Sequence, residues 1–112
     1  MLNENAKKWV AALRSGKYKQ GKGKLRHEGR YCCLGVACDI SGLVAWEHNS
    51  YDDEEYELTS QIKNWLGLNT SVGSYYESTT LLTLVALNDS GKSFSEIADI
   101  IESEPDGLFE KP

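Results

Sequence analysis

The densest chemical signal in the chain is Lys17-Tyr18-Lys19-Gln20-Gly21-Lys22-Gly23-Lys24-Leu25-Arg26, followed four residues on by Arg30. Glycines let backbone amides approach an anion closely, lysines supply point charge, and arginine can grip a phosphate through two parallel hydrogen bonds. A tyrosine can stack on a base. The segment therefore suits a phosphate-bearing ligand, with Lys17, Tyr18, Lys19, Lys22, Lys24, Arg26 and Arg30 as candidate contacts and the pair Tyr75-Tyr76 as further stacking groups. It is not a P-loop, because the GxxxxGK[ST] spacing and the preceding strand are missing. The competing reading is a solvated basic loop neutralised by the acidic run Asp52 to Glu57.

Cys32, Cys33 and Cys38 lie near His27, and thiolate with imidazole is the donor set that zinc prefers. The spacing speaks against a metal or a nucleophile, since there is no CxxC pair. The string CCLGVAC has the small apolar neighbours of a buried helix, in which free cysteine behaves as a small hydrophobe. Three cysteines, two of them adjacent, make a poor disulfide framework. The carboxylates Asp52-Asp53-Glu54-Glu55 have no apolar neighbours to tune them, so they read as a solvated run. Nothing in these patterns calls for a cofactor, a metal or an enzymatic mechanism.

These candidates must be positioned by a chain of 112 residues, enough for one domain, 1–112, with a single modest core. Its net charge of −5 disfavours a general nucleic-acid coat, yet the total divides into +6 between Arg14 and Arg30 and −11 elsewhere. No apolar run reaches the roughly 20 residues of a membrane span, and no signal peptide opens the chain, so a cytoplasmic protein is expected.

Ala6, Trp9, Val10 and Leu13 share one face of an opening helix, capped by Asn3 or Asn5 and stopped at Ser15-Gly16. Residues 17–24 read as a flexible basic arm. Lys24 to Arg26 and Arg30 to Cys32 flank His27-Glu28-Gly29 as two short strands about a tight turn. Cys33, Val36, Ala37 and Ile40 predict a buried helix ending at Ser41-Gly42. Leu43 to Trp46 is expected as a strand, and 48–57 as an acidic surface segment. Thr59 or Ser60 caps a short helix carrying Ile62, Trp65 and Leu66, and Asn69 to Thr80 reads as a loop with a brief edge strand. Leu81 to Leu87 is expected to be an apolar helix, paired with a second one that opens on the capping box Ser93-Phe94-Ser95-Glu96. The tail, 104–112, docks or frays. The fold class is α+β: a small single domain of helices packed with a short antiparallel hairpin or sheet and closed by a C-terminal helical hairpin.

The strings GKYKQGKGKLR, YCCLGVACDISG, NWLGL and LNDSGKSFSEIADIIE together resemble a group of short, mostly unannotated proteins encoded by tailed bacteriophages and prophages. The resemblance implies genome context and brings no catalytic residues. It raises the expectation of an anti-defence protein acting by binding in the infected host. The first expectation is sequestration of a phosphorylated, nucleotide-derived signalling molecule in a pocket that so small a chain most easily builds as a homo-oligomer. The alternative is a protein–protein inhibitor whose acidic face docks on a host defence protein.

Overall fold

The computed structural model describes residues 2–43 and 58–110. Five helices and five short strands make up this part: α1 (Glu4–Arg14), β1 (Lys19–Gln20), β2 (Arg26–His27), β3 (Arg30–Tyr31), α2 (Cys33–Ser41), α3 (Ser60–Leu66), β4 (Ser74–Glu77), β5 (Thr80–Thr83), α4 (Leu84–Asp89) and α5 (Phe94–Glu102). The mixture is α+β, as the patterning predicts. The strand expected at Leu43 to Trp46 and the acidic segment 48–57 lie almost wholly outside the described residues.

Helix α2 is the hub. Cys33 to Cys38 are all buried, a helix apolar on every side, which is stable only when surrounded. It packs on α1, α3 and α4, while α5 packs on α1. Two close contacts lock it in place. The Trp9 indole N–H donates to the Cys33 carbonyl at 2.9 Å, and a Cβ on Gly35 would stand 1.7 Å from the Leu25 carbonyl oxygen. Only glycine lets the backbone of α2 lie against the chain entering β2.

The helix ends follow the sequence signals. Asn3 caps α1 by accepting from the Ala6 amide, Thr59 caps α3, and Ser93 and Glu96 exchange both bonds of the capping box. Gly42 and Gly67 end α2 and α3 with φ of 70° and 76°, the left-handed conformation that favours glycine. Arg14 joins α1 to α5 through Asp99 and Glu102. The tail is docked as far as it is described, with Leu108 fully buried and the Glu110 amide bonded to the Gly67 carbonyl.

One element departs from expectation. Leu81 and Leu82 belong to strand β5, and the helix begins only at Leu84. Apolarity alone does not tell a buried helix from a strand. Here Tyr75 and Tyr76 supply a partner strand opposite Leu82 and Leu81, and the Thr83 hydroxyl caps α4 by accepting from the Ala86 amide. The expected C-terminal helical pair survives as the shorter α4 followed by α5.

Candidate functional site

Strands β1, β2 and β3 form a small mixed sheet in the order β1-β3-β2, with β1 parallel and β2 antiparallel to the central β3. Its register places Lys19 beside Arg30 and Arg30 beside His27. Side chains alternate across a strand, so these three share one face, and all three are exposed. Neighbouring strands lie about 4.8 Å apart, which spreads the row of two cations and one imidazole over about 10 Å, with His27 Nε2 3.8 Å from the Glu28 carboxylate. The β2–β3 turn is only two residues long, Glu28 and Gly29, with φ of 51° and 77°, the conformation that matches the twist of the flanking strands. It sets His27 directly opposite Arg30.

The other face of the same sheet turns inward. The Tyr18 hydroxyl donates to Asp39 on α2 at 2.6 Å, its ring meets Tyr31 edge-on with centroids 4.9 Å apart, and the Arg26 guanidinium lies 5.9 Å over the Tyr31 ring. Burial and the bond to Asp39 raise the Tyr18 phenol well above its ordinary range. Tyr18 and Arg26 are therefore committed to the frame, and the expectation of Tyr18 as a stacking group is corrected accordingly.

The segment expected as a flexible arm is fastened at several points. The Gly21 amide donates to the Tyr31 carbonyl at 2.7 Å. The Gln20 amide donates to Asn88 Oδ1 and to the Lys92 carbonyl and accepts from the Phe94 amide. Asn88 Nδ2 donates to the Gly21 carbonyl at 2.8 Å, and the Gly23 amide donates to Asp89 at 2.9 Å. Beyond it, Leu25 is buried under Gly35. What projects between these anchors is Lys22 and Lys24.

Asn88 is the buried polar residue at the centre of this frame. It is fully enclosed, and its Oδ1 also accepts from the Cys33 amide at 3.2 Å, so one side chain ties α4 to both the basic segment and the start of α2. Reading Asn88 only as part of a helix stop misses this role. The available signal is its spacing: Asn88 lies four residues after Leu84, on the buried face of α4, where a polar side chain needs partners. His27 is the other addition, recognisable only from the register that sets it beside Arg30.

Lys17, Lys19, Lys22, Lys24 and Arg30 make no ion pair with a carboxylate among the described residues. Lys17, Lys19, Lys22 and Arg30 are exposed and Lys24 is half-buried. The neutralisation expected from Asp52 to Glu57 lies outside the described residues.

Tyr75 and Tyr76 stand elsewhere. They belong to the second sheet, β4–β5, which shares no strand with the first. That hairpin leads into α4 at Leu84, whereas the basic segment docks at Asn88 and Asp89, the far end of the helix, about 6–8 Å along its axis. Tyr75 is buried with its phenol pushed up by burial, and the Tyr76 ring borders Gly107. The expectation that both complete the basic site is not met. Trp46, Tyr51 and Tyr56 lie outside the described residues.

The cysteines are core side chains, as their neighbours predict. Burial pushes the Cys32 thiol up to about 11 and Cys38 up to about 12, and raises Cys33 as well. Cys32 additionally caps α2, its sulfur accepting from the Gly35 amide at 3.4 Å. Among the described residues, no three His, Cys, Asp or Glu side chains converge as metal ligands, and no helix is long and apolar enough to cross a membrane.

Taken together, these features define a small α+β domain that carries an outward basic row on a mixed sheet braced by a buried asparagine. The chain belongs to the family described as domain of unknown function DUF8296, whose model matches residues 1–105. No curated protein and no solved structure matches it.

Proposed function

We propose that the protein is a phage-encoded, non-enzymatic binding protein that counteracts host defence in the cytoplasm of the infected bacterium by sequestering a phosphate-bearing, nucleotide-derived signalling molecule, as a homo-oligomer. The observation that carries the reading is the row Lys19–Arg30–His27, with Lys22 and Lys24 in the segment that joins β1 to β2. Holding the Lys19 and Arg30 charges side by side costs Coulomb energy; Gln20, Gly21 and Asn88 hold their strand through neutral bonds, and the carboxylates nearby, Asp89 on the Gly23 amide and Glu28 beside His27, offset only part of that cost. An anionic ligand relieves that repulsion. The phage origin rests on the resemblance of the sequence strings, and the ligand class on the chemistry of the row.

The row now outranks the original set of candidates. Lys19, Lys22, Lys24 and Arg30 remain as contacts, with Lys17 nearby in sequence and His27 added, while Tyr18, Arg26, Tyr75 and Tyr76 serve the fold. Titration calorimetry with pyrophosphate and with linear and cyclic dinucleotides tests the reading. Binding is expected to weaken as salt rises, because phosphate contacts displace counterions. Changing Lys19 and Arg30 together to Gln is expected to lower affinity about a hundredfold, taking each charge-assisted bond at about 1.5 kcal/mol. No heat, no thermal shift and no depletion of free ligand across that panel would overturn it. A stoichiometric host protein retained from lysate in place of a nucleotide would favour inhibition through an acidic face.

A further inference from the structure

Among the described residues, strand β5 leaves its outer edge open and carries the exposed Leu81. In the β4–β5 hairpin Tyr76 pairs with Leu81 and Tyr75 with Leu82. Tyr75 and Leu82 point into the core, so Tyr76 and Leu81 point out, and they are 47% and 56% exposed. The outer edge of β4 is occupied, because the Tyr76 amide donates to the Asp106 carbonyl at 2.7 Å. Among the described residues no strand lies along the outer edge of β5.

That same bond fixes the direction of the Leu81 backbone. Since the Tyr76 N–H points away from β5, Tyr76 and Leu81 form a non-hydrogen-bonded pair, in which both residues direct N–H and C=O outward. The ladder bond from the Leu84 amide to the Gly73 carbonyl has the matching parity. Leu81 therefore offers one donor and one acceptor to the open edge, on a strand, Thr80-Leu81-Leu82-Thr83, with no charge and no proline to block pairing.

We infer that the protein forms a twofold dimer through β5, its occupant being a second copy of the same strand, antiparallel, with the dyad at Leu81. In this register Leu81 exchanges both backbone bonds with its counterpart, and Thr80 stands opposite Leu82. The two hairpins become one four-stranded sheet whose outer face carries the row Tyr76, Leu81, Leu81 and Tyr76. Charge selects this edge. The chain is acidic overall, so two copies repel in most orientations, whereas at β5 the facing strands are neutral and Glu77 of each copy stays on the distal strand. A strand pair also relieves the weakness of an isolated two-stranded hairpin.

Sedimentation of the full chain over a concentration series tests this, together with two variants. The wild type is expected to sediment as a dimer whose melting temperature rises with protein concentration, and Leu81→Lys as a folded monomer whose melting temperature is lower and independent of concentration, because association stabilises only the folded state. Leu81→Cys is expected to form a disulfide-linked dimer on mild oxidation, since directly paired Cα atoms lie about 5.5 Å apart. Thr80→Cys, whose counterpart is Leu82, is not. A wild-type monomer at all concentrations overturns the inference, as does a dimer that persists in Leu81→Lys or one in which Thr80→Cys cross-links and Leu81→Cys does not.

Discussion

Replacing Asn88 with Ala probes the frame beneath the basic row most directly. The side chain is fully buried and bonds to four groups: the Gln20 amide, the Cys33 amide, the Gly21 carbonyl and, at 3.4 Å, the Asp89 carboxylate. Removing it strands the Cys33 amide, bonded at 3.2 Å inside the core, and the Gly21 carbonyl, bonded at 2.8 Å, and it frees the Gln20 amide from one of its two acceptors. A buried group left without a partner costs about 1–3 kcal/mol. Taking about 2 for the Cys33 amide, about 1 for the partly buried Gly21 carbonyl and a little for the void gives a loss of about 3–4 kcal/mol. For a domain of this size that lowers the melting temperature by about 15–20 °C. Urea denaturation reads the first number and calorimetry the second. Hydrogen exchange supplies the location: the Gly21 and Gly23 amides are expected to lose protection by more than the α5 amides do. A loss under about 1 kcal/mol, or a larger one with Gly21 and Gly23 no more affected than α5, would refute the assignment of Asn88 as the brace.

Two other expectations concern the hub helix. Gly35→Ala would drive a methyl into the Leu25 carbonyl, 1.7 Å away, and a backbone atom cannot swing aside as a side chain end can. A loss of about 4 kcal/mol is expected, visible as insoluble expression or a melting temperature lowered by about 20 °C. The thiols predict the alkaline limb of stability. Their folded values, about 11 for Cys32 and about 12 for Cys38, lie above the ordinary 9.0, so the stabilisation they represent is complete below pH 9 and is lost as pH rises toward 11–12. Urea midpoints should fall between pH 8.5 and pH 10.5, and a thiol reagent at pH 8 should react at the rate of unfolding; rapid labelling of the native protein would contradict their burial.

The sequence revealed most where local rules and tertiary packing agree. The spacing of Ala6, Trp9, Val10 and Leu13 predicts α1, and all four are buried. The pattern Ser93 to Glu96 predicts a capping box that is present in full. Both depend on residues a few positions apart. The candidate site is legible only in outline, because what separates Lys19 and Arg30 from Arg26 is which side of a two-residue strand each occupies, and Tyr18 lies just before β1. That is decided by a parallel pairing of β1 with β3 and by Gln20 reaching Asn88, 68 positions away. Asn88 and Gln20 look like ordinary polar residues until the elements meet. The sequence pattern predicts a helix at Leu81 and Leu82 because four leucines and a valine within seven residues satisfy either period, and only the facing Tyr75-Tyr76 strand decides between them.

The long reach of that brace also has a consequence for the order in which the protein is made. A chain grows from its N-terminus at about 5–20 residues per second, so the segment carrying most of the positive charge emerges several seconds before Asn88, Lys92 and Phe94, the groups that hold it. Helix α1 and the β2–β3 turn can form from neighbours already present, but β1 has its parallel partner without its clasp until nearly the whole chain is synthesised. The clasp on the basic face thus waits for residues 88–94, and a truncation before residue 88 would leave β1 paired with β3 but without the bonds from Asn88, Lys92 and Phe94 that fasten it.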